Sequence, residues 1–132
     1  TAETAGVHGV IIPKHRAASV NSTVNKASAG AVSYMNVARV TNISDTIKHL
    51  KDAGLWICGT DITANKYYFD QDLTGPIAIV IENEGKGMGE KVRKNCDFLV
   101  KIPIKGKVQS LNASVSAGIV IYEAVKQKMA KP

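Results

Sequence analysis

The chain has 132 residues, 45% hydrophobic and only 5% aromatic, enough for one domain whose modest core rests on Val, Ile, Leu and Ala. Seventeen basic against eleven acidic residues give a formal charge of +6, which suits a polyanionic partner but equally a merely soluble basic protein. No apolar run reaches the roughly 18 residues of a membrane span, and Thr1-Ala-Glu-Thr-Ala-Gly6 does not read as a signal peptide. Cys58, in an apolar run, and Cys96, at a helix end, read as buried free thiols of a cytosolic protein rather than a disulfide. Three scattered histidines with no close Cys/His spacing argue against a structural zinc site, so no metal is expected.

In chain order, residues 1–5 read as the last turn of a helix stopped by Gly6, and the chain is expected to open in mid-element. Residues 7–12 form a first apolar run bounded by Gly6 and Pro13, and the spacing predicts a helix over 23–34. A second short strand at 37–40 precedes a helix over 43–53, with Ile43, Ile47 and Leu50 on one face. Ser44 or Asp45 is the expected cap of that helix and Gly54 its stop. Residues 55–59 and 77–81 read as buried strands, and 60–75 as loop. Residues 89–96 read as a short helix, 98–102 as a last strand and 113–129 as the longest helix. Continuous apolar strands joined by helices predict an α/β fold: an open, mostly parallel sheet with helices on both faces. One domain, 1–132, is expected.

Two stretches stand out: Ile77-Ala-Ile-Val-Ile-Glu-Asn-Glu-Gly-Lys-Gly-Met-Gly89 and Ile102-Pro-Ile-Lys-Gly-Lys-Val-Gln-Ser-Leu-Asn112. Each is an apolar strand running into a loop of Gly and small polar residues that opens a helix. Two such loops on neighbouring strand ends make a ligand crevice, because their backbone groups need partners. Glu84 alone would read as a capping carboxylate, and Ser110 and Asn112 are good N-caps whatever else they do. Lys86-Gly-Met-Gly-Glu-Lys91 lacks the phosphate-loop pattern. The absence of an N-terminal Gly-x-Gly-x-x-Gly with an acidic ribose ligand argues against a dinucleotide-binding oxidoreductase. Lys14, His15 and Arg16 either grip RNA phosphates or form a solvated turn. Tyr67, Tyr68 and Phe69 read as packing over the sheet ahead of stacking on a base. His8 and His49 read as structural or surface residues, and Val115, Ile119, Tyr122 and Val125 as a core or dimer face.

The wording of the loops resembles the SpoU (TrmH) class of RNA ribose 2′-O-methyltransferases, in Asn83-Glu84-Gly85-Lys86-Gly87 and Ser110-Leu111-Asn112. Val7-His-Gly-Val-Ile-Ile-Pro13, Lys26-Ala-Ser-Ala-Gly30 and Gly59-Thr60-Asp61 match in order and spacing, so the resemblance runs from Thr1 to Met129. It is strongest to bacterial enzymes that methylate a guanosine ribose in 23S rRNA. The resemblance implies a C-terminal trefoil knot, S-adenosylmethionine held in the knot loops, and a cytoplasmic homodimer whose active site draws on both subunits. It puts Thr60, Glu82, Gly85, Ile102 and Leu111 at cofactor-binding positions and Glu84, Ser110 and Asn112 at active-site positions. RNA is the implied substrate, with Lys14 and Arg16 as its basic contacts.

Two departures from the family pattern are expected to weaken function. The family's leading Asn-x-Gly…Arg-Thr-Ala segment survives only as Thr1-Ala2, so its proposed catalytic arginine has no counterpart, and the N-terminal RNA-binding domain common in relatives is missing. Glu82 stands where the family usually has glycine, placing a charged side chain where backbone would approach the ligand. The alternative reading is a non-catalytic knotted module for RNA binding or dimerisation.

Overall fold

A computed structural model describes residues 2, 4–13, 36–81, 89–108 and 111–131 of the chain. Its first strand, β1, is Val10–Pro13, starting three residues later than the apolar run and taking in Pro13, its expected boundary; β2 is Val37–Val40, at the residues the pattern predicts. They pair in parallel, Val10 with Val37 through Pro13 with Val40. The turn before β1 closes with a Val7 N–H to Ala2 carbonyl bond of 3.0 Å around Gly6 at φ +78°, the bonding of a helix C-terminal stop. The helix predicted over 23–34 lies outside the described residues.

Helix α1 spans Ile43–Asp52. Its cap is Asn42, not Ser44 or Asp45: the Asn42 side chain accepts the Asp45 N–H at 3.2 Å. The cap lies two residues before Ser44 and three before Asp45, which leaves Ser44 buried inside the first turn. Its end follows the expected glycine stop. Gly54 sits at φ +99°, its N–H bonds the Lys51 carbonyl at 2.9 Å, and Leu55 N–H bonds the Leu50 carbonyl at 3.0 Å.

Strands β3 (Trp56–Thr60), β4 (Ile77–Val80) and β5 (Phe98–Val100) form a second parallel sheet in the order β4-β3-β5. The two loop-bearing strands are therefore not neighbours: β3 lies between them, buried from Ile57 to Thr60. The short helix α2 (Glu90–Asn95) carries the chain from β4 to β5, crossing β3. Helix α3 (Ala113–Ala130) closes the chain. The class is thus mixed α/β with parallel sheets, as expected; among the described residues the strands form two sheets rather than one.

Cys58, Leu73, Val100, Val120 and Ala124 make the buried core between the second sheet and α3, with Tyr68, Ile77, Ile79, Phe98 and Ile102 packed around it. Strand alternation turns Ile57, fully buried, to the opposite face from Cys58. Helix α1 packs against β3 and brings the buried Ile47. On α3 the residues singled out from sequence are not the most buried ones. Val120 and Ala124 point into the core, Ile119 and Val125 are half-buried, and Val115 and Tyr122 are exposed. Thr60, expected in the loop, ends β3, and residues 61–75 are irregular apart from a 3-10 turn at Tyr68–Asp70 and the bridge at Tyr67. Strand β5 stops at Val100, two residues short of the predicted end, because the next residue, Lys101, changes partner and pairs with Tyr67.

The 60–75 segment is fastened to α3 by one side chain. Gln127 Oε1 accepts the N–H of the fully buried Leu73 at 2.7 Å, and Gln127 Nε2 donates to the Gln71 carbonyl at 3.0 Å. Replacing Gln127 with leucine keeps the bulk and orphans a buried donor, which costs about 1–3 kcal/mol. A urea unfolding curve is expected to show that loss; a curve matching the parent would mean the segment is held some other way.

Candidate functional site at the carboxyl edge of the second sheet

Parallel pairing sets Thr60 beside Val100, and Gly59 beside Val80, so β3, β4 and β5 all end at one edge. In open parallel sheets this edge is where ligands bind, since strand ends leave backbone groups to be satisfied there. Thr60 lies at its centre, buried, with its hydroxyl donating to the Val80 carbonyl at 3.4 Å. That bond ties the central strand to the residue from which the chain enters 82–88. Ile102, just beyond β5, is half-buried against the core, and Leu111 is half-buried before α3. Asn112 caps α3: its Oδ1 accepts the Val115 N–H and the Ser114 hydroxyl, both at 2.9 Å. Its expected capping role holds, and its carbonyl oxygen is committed to it.

Of the residues singled out from sequence, Thr60, Ile102, Leu111 and Asn112 are described. Glu82, Glu84, Gly85, Ser110, Lys14 and Arg16 lie outside the described residues. His8 and His49 are exposed. Among the described residues Cys58 and Cys96 form no disulfide, and the half-buried Cys96 thiol donates to the Val92 carbonyl at 3.4 Å. Burial, then the neighbouring Cys96, pushes the Cys58 thiol up to about 12. Burial, then Asp97, pushes Cys96 up to about 11. Neither is a nucleophile at neutral pH. Among the described residues no group of three or more His, Cys, Asp or Glu is placed to hold a metal ion.

A buried ionic node next to Thr60 was not singled out from sequence. Asp61 N–H bonds the Val100 carbonyl at 2.9 Å, closing the edge between β3 and β5. The Asp61 carboxylate accepts the N–H and hydroxyl of Thr63 at 2.8 and 2.7 Å through one oxygen and the Arg93 guanidinium through the other. Arg93 also donates to the Thr63 hydroxyl at 3.0 Å. Arg93 sits on α2, the helix that receives the chain from 82–88, so the node ties that helix to the end of β3. Burial alone would raise the Asp61 pKa; the Thr63 bonds and Arg93 outweigh it and hold the carboxyl below its ordinary 3.8. The only sequence signal was Asp61 within the Gly59-Thr60-Asp61 match, because its partner is 32 residues away.

At the other edge, Trp56, Ile77 and Phe98 start the three strands and line an open groove of about 370 Å³ with Asp72, Thr74 and Lys131. Trp56 stacks on Phe98 with ring centres 5.7 Å apart. This groove is at the amino ends, away from Thr60.

Comparison with known proteins supports the fold. The SpoU rRNA Methylase family matches residues 1–122. The TrmH family protein YacO of Bacillus subtilis is 48% identical over 97% of the chain and 51% of its own length. The 23S rRNA (guanosine-2′-O-)-methyltransferase RlmB of Pseudomonas putida is 43% identical over 99% of the chain and 53% of its own length. The chain spans about half the length of the curated relatives it matches. Among solved structures, the SpoU methyltransferase AviRb from Streptomyces viridochromogenes, in complex with AdoMet, superposes with a TM-score of 0.86 at 32% identity, over 98% of this chain and 53% of that one. The A. aeolicus TrmH/SpoU tRNA modifying enzyme gives 0.88 at 26% identity, over 98% and 66%.

The ionic node has a pH signature. A carboxyl with a lowered folded pKa stabilises the fold above its unfolded value, and that contribution is lost as pH falls through the folded one. Arg93→Ala removes part of what opposes burial, so the folded pKa of Asp61 rises and acid loss of stability begins at higher pH. Because Arg93 is about one-third exposed, the cost at neutral pH is expected near the low end, about 1–2 kcal/mol. Urea unfolding of parent and variant across the acid range checks both; identical acid limbs would contradict the account.

Proposed function

The chain belongs to the SpoU rRNA Methylase family, and from that premise we propose that it is the catalytic part of an S-adenosylmethionine-dependent RNA methyltransferase. The proposed reaction moves a methyl group to a ribose 2′-OH, of a guanosine in 23S rRNA. The observation that supports it most is the shared edge where Thr60, Val80 and Val100 end side by side. The loops from β4 and β5 leave that edge on either side of Thr60, and a nucleoside between them meets both. AviRb, similar over 98% of this chain, is a relative seen with AdoMet.

The residues present fit the cofactor. Half-buried Ile102 and Leu111 offer apolar walls for a flat base, and the strand ends offer carbonyls and N–H groups for its polar rim. When bound, S-adenosylmethionine supplies an electrophilic methyl on a sulfonium. The protein's part is to hold the reacting groups in line and help remove the hydroxyl proton. In this reading Thr60 and the Asp61 node keep the edge rigid, and Asn112 sets the start of α3. Glu84 and Ser110 orient the ribose, Gly85 lets backbone approach, and Lys14 and Arg16 hold phosphates. Glu82 weakens cofactor binding by adding bulk where the family usually has glycine.

The proposal extends to a single domain with the family's trefoil knot, acting in the cytoplasm as a homodimer. No helix among the described residues is long and apolar enough to cross a membrane. Val115, Tyr122 and Met129, seven residues apart and exposed on α3, make a stripe that a second copy would cover. Tyr122 also meets Thr4, hydroxyl to hydroxyl at 2.9 Å, which sets the segment before β1 against the same helix.

Calorimetry with S-adenosylmethionine is the test, alongside transfer of labelled methyl to 23S rRNA. Glu82→Gly is expected to bind about tenfold more tightly than the parent, a gain of about 1.4 kcal/mol. Gly85→Val and Leu111→Trp are expected to abolish binding. A Glu82→Gly protein that folds and still shows no binding would overturn the proposal.

A further inference from the structure

Three consecutive aromatic residues follow the Asp61 node, and the fold treats them differently. Tyr68 turns inward and packs on the core, while Tyr67 and Phe69 stay 36% and 47% exposed. The two exposed rings stack on each other, centres 5.3 Å apart and 15° from parallel. Tyr68 braces Phe69 edge-on from behind at 5.1 Å and 81°. The backbone beneath them is fixed. Tyr68 N–H bonds the Lys101 carbonyl at 3.0 Å, and Lys101 N–H bonds the Lys66 carbonyl at 2.9 Å. Two braced aromatic rings held in water on a fixed backbone are a preformed apolar surface.

The neighbouring charges indicate what it fits. Lys101 holds its ammonium 5.0 Å from the centre of the Tyr67 ring. Among the described residues neither Lys101 nor the exposed Lys66 has a carboxylate partner within ion-pair distance. Lys105 and Lys107, exposed, follow on the same outgoing segment. Burying these ammonium groups in a protein face without acids would be costly. A phosphodiester chain instead brings an anion for each base it carries. Asp70, exposed beside Phe69, repels that chain from the far end and favours a path along Lys66 and Lys101.

We propose that Tyr67, Phe69 and Lys101 form a stacking surface for an unpaired base of single-stranded RNA, next to the nucleotide presented at the carboxyl edge. Tyr67 pairs with Lys101, the residue before Ile102, so the surface begins within a residue of the edge. The placement rests on the reading of that edge as the methyl-transfer site; the stacking chemistry does not. Aromatic rings take bases without regard to sequence, so the surface contributes affinity for unstacked RNA rather than base identity.

The test is anisotropy of a short fluorescein-labelled oligoadenylate, and of a labelled RNA duplex, titrated with the chain at fixed salt. Phe69→Leu and Tyr67→Leu keep apolar bulk and lose the ring; each is expected to weaken oligoadenylate binding about 5- to 150-fold. Phe69→Trp is expected to retain it, and duplex binding to stay unchanged in all three. Calorimetry with S-adenosylmethionine is run on the same proteins. If a folded Glu82→Gly protein fails to bind the cofactor while the ring-dependent RNA affinity stands, the edge reading falls and the stacking surface survives. Leucine variants that bind oligoadenylate as the parent does, or a parent that does not bind it, would overturn the surface. So would variants that change only the sedimentation of the chain, which would give the patch to a second copy.

Discussion

Strand β3 is buried along Ile57–Thr60 and paired in parallel on both sides, and that double pairing sets the rest of the molecule. Two parallel partners cannot be reached by tight turns, so the chain must leave the carboxyl edge, cross over and return at the amino edge each time. Every departure point therefore falls on the same rim. The segments after Thr60, Val80 and Val100 begin side by side for this reason, though 20 and 40 residues separate their strands in sequence. The core follows from the same arrangement. Cys58 and Val100 face α3 from adjacent strands and meet Val120 and Ala124 there.

A rim built from three strand ends would fray without cross-links. Thr60 to Val80 joins β3 to β4, and Asp61 to Val100 joins β3 to β5. Asp61 then takes Arg93 from α2, the crossover helix, so one carboxylate ties that helix and the Thr63 turn to the end of β3. At the opposite rim Asp97 plays a parallel part, accepting the Ile57 N–H at 2.8 Å and pairing with Lys51 of α1 at 3.5 Å. The groove beside Trp56 at that rim is lined by the starts of the strands and not by their carboxyl ends, which is why the carboxyl edge and not the groove carries the functional reading.

Much of this was legible in the sequence where the signal is local. The apolar runs gave β2 to β5 within two residues, although β1 begins three residues into its run; Gly54 stopped α1, and Asn112 capped α3 as its position before an apolar stretch implies. What stayed hidden depends on partners far along the chain. The order β4-β3-β5 is set by pairing of Cys58 with Phe98, which no window of sequence contains. The Asp61–Arg93 bond spans 32 residues. On α3, Val115, Ile119, Val120, Tyr122 and Val125 put apolar side chains around much of the helix, so periodicity could not say that Val120 and Ala124 are the buried pair. The division of Tyr67, Tyr68 and Phe69 between core and surface is likewise fixed by the Lys101 bridge rather than by the residues themselves. For the candidate site, the wording of the loops pointed to the family, while the backbone frame beneath them came from the fold.

The central claim is that the carboxyl rim of β3, β4 and β5 cups the methyl donor. Hydrogen–deuterium exchange of the chain, with and without saturating S-adenosylmethionine, addresses it directly. Slower exchange at residues 78–90 and 100–112, with no change around Trp56, Asp72 and Ile77, is the expected pattern. Protection confined to the Trp56 groove, or bound cofactor that leaves both rim segments unprotected, would contradict the account.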